Sequence, residues 1–397
     1  MANNNDKKVL NVPALRFPEF TEEWQGEQLH EIAELSKGIG ISKEQLSENG
    51  TPCILYGELY TKYKSEIISK IISKTDIEKS KLKHSKQNDV IIPCSGETAI
   101  DIAVARCVPF DNVLLGGDMN VIRLHKYDGA FMAYQLNGKR KTDIAKLAQG
   151  VSVVHLYGEN LKSIKTYNPS LQEQQKIVKL LSMLDERLEV QNKIIEDLKK
   201  LKSAIIEKEY THKTKSNSHI GDFIEQTSKR NKNRAIQNVL SVSNRQGFIQ
   251  QSEQFENRSV ASDDTSSYKI VKKNNFAFNP ARINVGSIAR LTTFDRGIVS
   301  PMYICFRTKD TLFPEYLDYY FETKQFFTEI QKRLEGSVRQ CLSFEGLCNI
   351  PLCIPTIEVQ QQVGKQLSTL VQEIKLEIDF LELLQRQKKF LLHQMFI

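Results

Sequence analysis

A single long duplication constrains what this chain can fold into more than any local motif does. The segment Pro169-Ser170-Leu171-Gln172-Glu173-Gln174-Gln175 returns as Pro355-Thr356-Ile357-Glu358-Val359-Gln360-Gln361, 186 residues later. The offset holds without a gap in both directions. Upstream, Gly150, Leu156, Leu161 and Ile164 meet Gly336, Leu342, Leu347 and Ile350. Downstream, Lys179, Leu181, Ser182, Leu184, Glu196, Leu198 and Lys202 meet Lys365, Leu367, Ser368, Leu370, Glu382, Leu384 and Lys388. Two helices rich in Leu, Lys and Glu share residues by chance, but chance does not place Gly, Pro and Gln-Gln in the same register. At 397 residues, two copies leave each with the size of an ordinary domain, about 100–200 residues.

Each copy ends in a helical stripe. From Leu171 to Tyr210 there is no Gly or Pro, and apolar residues recur with 4-3 spacing at Ile177, Leu181, Leu184, Leu188, Ile195, Leu198 and Ile205. The copy reads Val363, Leu367, Leu370, Ile374, Leu381, Leu384 and Leu391. Polar residues interrupt both stripes at matching places, Gln191 with Glu377 and Lys202 with Lys388, which suggests a matched register. A helix exposing such a stripe needs a partner, and the simplest is the other copy, packed antiparallel because a whole domain separates them. Forty residues at about 1.5 Å each give roughly 60 Å of rod. Burial of two unrelated helices inside separate cores is the competing explanation.

Upstream of the helices the copies diverge but keep a common rhythm. Asn88-Asp89-Val90-Ile91-Ile92-Pro93 resembles Asn274-Asn275-Phe276-Ala277-Phe278-Asn279, each a strand running into a polar loop. Gly117 to Arg123 takes the place of Ile298 to Ile304. The expected fold class is α+β: two pseudo-repeated α/β domains separated by two long antiparallel coiled-coil helices. The boundaries read from the sequence are a first domain over 1–166, a helix over 167–210, a second domain over 211–352 and a helix over 353–397.

Composition narrows the partners. A formal charge of +7 fits a phosphate-bearing partner, though many basic proteins bind no nucleic acid. The first residues lack the apolar core of a secretory leader, and no stretch approaches the roughly 18 apolar residues of a membrane span, so a cytoplasmic protein with no membrane association is expected. Seven cysteines without a C-x-x-C pair read as reduced, mostly buried thiols.

With these features in hand, the chain resembles the specificity subunits of type I restriction-modification systems. The resemblance rests on the opening Val12-Pro13-Ala14-Leu15-Arg16-Phe17-Pro18-Glu19-Phe20 with Trp24 and on Gly150, Leu156, Leu161 and Ile164. It continues through the P-x-L-x-E-Q-Q-K-I run from Pro169 to Ile177, through the order and repetition of the later pieces, and through the closing Leu384 to Phe396. The second copy departs from the pattern at Thr356-Ile357-Glu358-Val359-Gln360, and Gly364 puts the start of its helix in doubt. The resemblance implies a non-catalytic DNA sequence-specificity subunit with two target recognition domains. Each reads one half of a bipartite double-stranded DNA target, and the helices set the gap. It also implies two modification (methyltransferase) subunits as partners, joined by restriction (motor-nuclease) subunits. S-adenosylmethionine, ATP and Mg belong to those partners, and this chain binds no cofactor.

The residues agree that chemistry lies elsewhere. An adenine methyltransferase needs an Asn/Asp-Pro-Pro-aromatic loop, and the nearest match, Asn279-Pro280-Ala281-Arg282, lacks the second proline and the aromatic ring. There is no phosphate-binding G-x-x-x-x-G-K-[ST] loop, Asp263-Asp264 reads as a solvated loop, and the seven histidines are scattered, so no catalytic or metal site is expected. A scaffold joining two binding domains through a coiled coil without DNA specificity is the alternative.

DNA-reading side chains belong on polar or basic loops. In the first domain the candidates are Lys37, Ser42, Lys43, Tyr56, Tyr60, Lys62, Tyr63, Ser95, Thr98, Lys139 and Arg140. In the second they are Lys229, Arg230, Arg234, Ser243, Asn244, Arg245, Arg282, Asn284, Arg339 and Gln340. Ile194, Leu201, Ile378 and Phe380, off the helical stripe, form a candidate surface for the methyltransferase subunits, although core packing explains them equally well.

Overall fold

The computed structural model describes residues 10–78, 80, 82–210, 218–244, 246–251, 264–336 and 340–397. The chain divides into two compact units, Met1–Lys193 with Asp379–Ile397, and Ile194–Ile378. Each unit holds part of each long helix, because the stripe residues share cores with the domains they adjoin.

The first unit is built on a four-stranded antiparallel sheet in the order Ala33–Lys37, Met119–Leu124, Asp89–Pro93, Arg106–Val108. Val90-Ile91-Ile92 is a continuous apolar run because both faces of its strand are covered. Successive side chains point to opposite faces, so Val90 and Ile92 join one core with Ile122 while Ile91 joins another with Met119 and Val121. The second of these cores is shared with Ile54 and Leu115 of a smaller sheet, Ser73–Thr75, Leu46–Ile54, Leu114–Leu115, Lys83–His84, whose central pair is parallel. Two short ribbons complete the unit, Gln25–Gln28 with Lys165–Asn168 and Ser95–Gly96 with Val154–His155.

The second unit repeats this plan. Its antiparallel sheet runs Ile224–Thr227, Ile304–Thr308, Phe276–Phe278, Ile288–Arg290, and its other sheet runs Gly247–Gln250, Val239–Ser243, Arg296–Val299, Lys269–Lys272, again with a parallel central pair. The same alternation separates two cores, Phe276, Phe278 and Phe306 on one side, Ala277 and Cys305 on the other. Positions that must be unusual are unusual in both copies. Asn88 and Asn274 hold left-handed backbones at φ 77° and 66°, which asparagine tolerates better than most residues, and Gly150 and Gly336 have φ 122° and 107°. One expected correspondence is corrected. Val121 lies opposite Ile91, and Cys305 lies opposite Ala277, so Val121 matches Cys305 and not Met302. The stretch between the two paired strands is two residues shorter in the second copy, from Ala277 to Cys305 against Ile91 to Val121, where the sequence alignment had allowed five.

The long helices are Leu171–Tyr210, of 40 residues, and Ile357–Gln394, of 38. In the first unit the beginning of the first helix, Ile177 and Leu181, packs with the end of the second, Leu391, Leu392, Met395 and Phe396. In the second unit Ile205, Ile206 and Tyr210 share a core with Val363 and Leu367. The pairing is therefore antiparallel at both ends. Gly364 does not interrupt its helix. It is buried, and a Cβ there would lie 3.1 Å from Glu315 Cβ and 3.2 Å from Phe313 Cε1, so the missing side chain lets a neighbouring turn approach closely.

Candidate nucleic-acid interface

In the first unit the strand ends bring several candidate loops to one edge. Gly38 N–H donates to Met119 O at 2.9 Å, Ile39 N–H to Leu115 O at 3.0 Å, and Cys94 N–H to Asp118 O at 2.7 Å. The loop after Lys37 and the loop after Pro93 thus share one support, Leu115 to Met119. Lys37 and Lys43 are exposed, and Ser42 caps the short turn Lys43–Gln45 through a capping box with Gln45. Burial pushes the Cys94 thiol up to about 11, with Lys37 pulling the other way. Tyr60 borders the same edge: a Cβ on Gly96 would lie 3.8 Å from its Oη. Its phenol is raised by partial burial first, then by Tyr56, Glu97 and Asp101. Tyr56 is half-buried against the same core as Tyr60. Thr98 is exposed and caps the helix Ala99–Ile102, accepting from Asp101 N–H at 3.2 Å.

Other candidates are held by structural partners. Tyr63 is 6% exposed, accepts at its Oη from Ile72 N–H at 3.3 Å, and has its phenol pushed up to about 12 by burial. Its carbonyl accepts from the buried Arg106 at 2.9 Å. Ser95 is buried with Oγ donating to Asp118 Oδ2 at 3.3 Å, and Lys62 is tied to Glu58 at 2.7 Å. Arg140 donates to the Ile397 carbonyl at 2.8 Å, pairs with Asp143 at 3.1 Å and lies over the Tyr167 ring, so it anchors the chain end instead of the loop cluster. Lys139, next to it in sequence, is half-buried.

In the second unit Arg282 is exposed, and Asn284 is half-buried in the turn that follows it, Ile283–Val285. Gly286, at φ 91°, brings this turn beside Asn244, whose carbonyl oxygen would be 3.5 Å from an added Cβ. Asn244 is exposed and Ser243 half-buried at the end of its strand. Lys229, Arg230 and Arg234 occupy another loop. There the fully buried Asn231 clamps Ile236 through Nδ2 to its carbonyl at 2.9 Å, and Arg234, at φ 51°, pairs with Asp264 at 3.1 Å. Gln340 is exposed, while Arg245 and Arg339 lie outside the described residues.

Every stripe position is buried or half-buried, and the cores at both helix ends include stripe members. The off-stripe Ile194, Leu201 and Phe380 are exposed at 40%, 49% and 40%, and Ile378 is half-buried. Sequence reasoning passed over the polar groups that fix the helices to the domains. Arg16 holds Glu173 in a two-pronged pair at 2.7 and 2.8 Å, and Trp24 Nε1–H donates to the same carboxylate at 3.3 Å. Lys388 bridges Glu66 and Asp185, the latter at 2.5 Å, and Tyr134 Oη donates to Asp185 at 2.7 Å. These partners are far apart in sequence, so no local pattern announces them. Among the described residues no cluster of three or more His, Cys, Asp or Glu could hold a metal ion, and no helix is long and apolar enough to cross a membrane.

Comparison with known proteins accounts for this arrangement. Residues 21–200 match the family model of the type I restriction modification DNA specificity domain. The whole chain has the fold of a type I restriction-modification system S subunit from M. genitalium, with TM-score 0.62 and 17% identity over 97% of this chain and 99% of that one. A chain from a study of complex assembly and conformational transition of the type I R-M system is also similar, with TM-score 0.54 and 14% identity over 93% and 96%. Residues 21–200 are thus similar to a type I restriction modification DNA specificity domain, and the chain as a whole shares its fold with a solved S subunit of such a system.

Proposed function

We propose that this chain selects DNA for a type I restriction-modification complex and performs no covalent chemistry of its own. Each compact unit reads one half of a bipartite double-stranded target, and the long helices set the gap between the halves. Two modification subunits supply methyl transfer with S-adenosylmethionine, and restriction subunits supply ATP- and Mg-dependent movement and cleavage. The complex acts in the cytoplasm, where its DNA is.

One observation carries the reading: the two units share strand order, strand direction and the parallel central pair, yet differ in the residues on their loops. A constant frame with variable loops is what two readers of different sequences need, because phosphate contacts position and loop side chains specify. The proposed loops of the first unit are those carrying Lys37, Ser42, Lys43, Tyr56, Tyr60 and Thr98. Those of the second carry Asn244, Arg282, Asn284 and Gln340, with Lys229, Arg230 and Arg234 as phosphate contacts. The exposed Ile194, Leu201 and Phe380 are proposed to meet the modification subunits.

Reconstitution tests the proposal. The purified chain, mixed with a type I modification subunit and methyl donor on a random-sequence DNA library, is expected to direct methylation to a split, asymmetric target. The chain alone methylates nothing. Its own DNA binding is expected to weaken steeply with salt, as counterion release requires. Methylation without sequence preference, or DNA affinity indifferent to salt, would overturn the reading.

A further inference from the structure

A hairpin that no candidate set included stands beside the first unit's loop cluster. Gln149 and His155 exchange backbone hydrogen bonds at 2.9 and 2.7 Å, and Gly150 at φ 122° turns the chain between them. The returning strand, Val154–His155, pairs with Ser95–Gly96. Leu156 N–H then donates to Cys94 O at 2.7 Å. The hairpin is thereby bolted to the loop that also carries Thr98 and borders Tyr60. Its tip is apolar and fully presented to solvent: Val151 is 98% exposed and Val153 52%. Ile100, 50% exposed, lies on the short helix that packs against both strands, and Tyr157, 47% exposed, follows on the same segment with its ring stacked on His155.

The internal duplication supplies a comparison. In the second unit Glu335 and Cys341 exchange the same two bonds at 2.9 and 2.8 Å, Gly336 has the same kind of backbone, and Leu342 N–H donates to Pro280 O at 3.0 Å. The frame of the hairpin is kept, as are the buried Leu156 and Leu342 behind it. The tip is not kept: Val151-Ser152-Val153 stands where the second copy has Ser337-Val338-Arg339. A hairpin needed only for packing would have no reason to hold its support constant while exposing large apolar groups at a changing tip. A valine costs little to expose singly, but Val151 and Val153 at one hairpin tip, with Ile100 and Tyr157 exposed on the elements joined to it, offer apolar groups suited to the C5-methyl groups of thymine.

We infer that Val151-Ser152-Val153 is a specificity-determining element of the first unit, contacting base edges through the Val151 and Val153 side chains, with a thymine methyl as the favoured partner. The inference rests on the function proposed above and deepens it. Glu97, exposed on the adjoining loop, presents a carboxylate that repels phosphates but accepts from cytosine N4, so this edge suits bases better than backbone.

The test uses the full chain in its reconstituted methylation complex, with a DNA library randomised across both half-sites. Val151→Ser removes the apolar contact and Val151→Asp adds a charge, and neither disturbs a packed core because the side chain touches solvent. The expected result is a loss of preference at one or two positions of a single half-site, by roughly fivefold or more for Val151→Ser, with the other half-site and the gap unchanged. Val151→Asp is expected to lower methylation at targets that place thymine there by a larger factor. Unchanged profiles for both variants would overturn the inference while leaving the two-unit reading intact. A uniform loss at all sequences would also overturn it, by assigning the tip to phosphates or to assembly. If the unaltered chain directs no split-site methylation, the underlying reading fails and the inference goes with it.

Discussion

Gln174 and Gln360 stand 186 residues apart and make the same bonds. Each is buried one turn into its long helix. Gln174 Nε2 donates to Pro169 O at 2.8 Å, and its Oε1 accepts from Asp128 N–H at 3.0 Å. Gln360 Nε2 donates to Pro355 O at 2.9 Å and Thr311 O at 3.1 Å, and its Oε1 accepts from Phe313 N–H at 2.8 Å. In both units one amide closes the loop entering the long helix and pins it to the start of a domain helix, Gly129–Asn137 or Pro314–Tyr320. The far ends of the helices match as well. Phe396 packs on Phe131 in the first unit at 5.3 Å, and Tyr210 packs on Tyr316 in the second at 4.5 Å. The second glutamine of each pair, Gln175 or Gln361, is exposed, so the reason for the repeated motif lies in its first member.

Replacing either buried amide unfastens the loop that enters its helix. Gln174→Ala removes the bonds to the buried Pro169 and half-buried Asp128, and Gln360→Ala those to the half-buried Pro355 and Phe313 and the exposed Thr311. A group left unpaired away from water costs about 1–3 kcal/mol and one that water reaches costs less, so each variant is expected to lose about 1–3 kcal/mol. The two share no bonding partner, and their costs are expected to add in urea denaturation of the double variant. A negligible cost for either would show that the amide does not clamp the helix.

Lys388 and Lys202 occupy the same place in the repeat but not the same environment. Lys388 is 13% exposed between the nearly buried carboxylates of Glu66 and Asp185, whereas Lys202 pairs with Glu322, which is 45% exposed. Lys388→Met is expected to cost about 3–5 kcal/mol because it leaves buried charge uncompensated. Lys202→Met is expected to cost under about 1 kcal/mol, as for other surface pairs.

The Lys388→Met deficit is expected to depend on pH. Burial pushes the Asp185 carboxyl above its ordinary value near 3.8, and Lys388 is the strongest group pulling it down. A carboxyl with a raised folded pKa holds its proton more tightly in the folded state. Its unfavourable contribution is therefore absent below the unfolded value and grows as pH rises towards the folded one. Removing Lys388 raises that folded value further, so the deficit against the unaltered protein should be larger at pH 8 than at pH 5. A deficit equal at both, read by urea denaturation, would argue that Asp185 is already neutral in the unaltered protein.

Gly150 offers a test of the hairpin frame apart from its tip. A Cβ there would lie 2.1 Å from Val153 O, a backbone atom that cannot move aside, and φ 122° is a region that only glycine occupies freely. Gly150→Ala is expected to cost about 1–3 kcal/mol and to blunt discrimination at the half-site read by the first unit, with the second half-site preserved. The library profile and a thermal melt check both parts.

The duplication was legible because it is carried by residues with backbone or packing duties that no other type fulfils. Gly150 and Gly336 need their positive φ, Asn88 and Asn274 theirs, and the stripe leucines need burial. The helices could be read for the same reason, since a 4-3 rhythm without Gly or Pro over forty positions admits little else. The loops were less legible. Tyr63, Ser95 and Arg140 have the polarity of DNA contacts but are spent on Ile72, Asp118 and Ile397, because a side chain's partner depends on what the fold brings to it. Val151 escaped notice for the opposite reason, as nothing in Gly150-Val151-Ser152-Val153-Val154 announces that its first valine is exposed. The departure of Val359 from the Glu173 position also becomes intelligible, because Glu173 serves Arg16 and Trp24.

The helices themselves make the last prediction. Inserting one heptad into each long helix, at the matching positions after Gln191 and Glu377, keeps the apolar stripe in phase, whereas a four-residue insertion would shift it. Seven residues add about 10 Å to each helix, the length of roughly three base pairs of duplex. If the paired helices fix where the two readers land, the variant should keep both half-sites and prefer a gap longer by about three base pairs. Lengthening only one helix should put the two stripes out of register and lower stability without yielding a defined new gap. Methylation of targets whose gap is varied one base pair at a time reads the outcome directly, and an unchanged preferred gap in the doubly lengthened chain would remove the helices from the role of spacer.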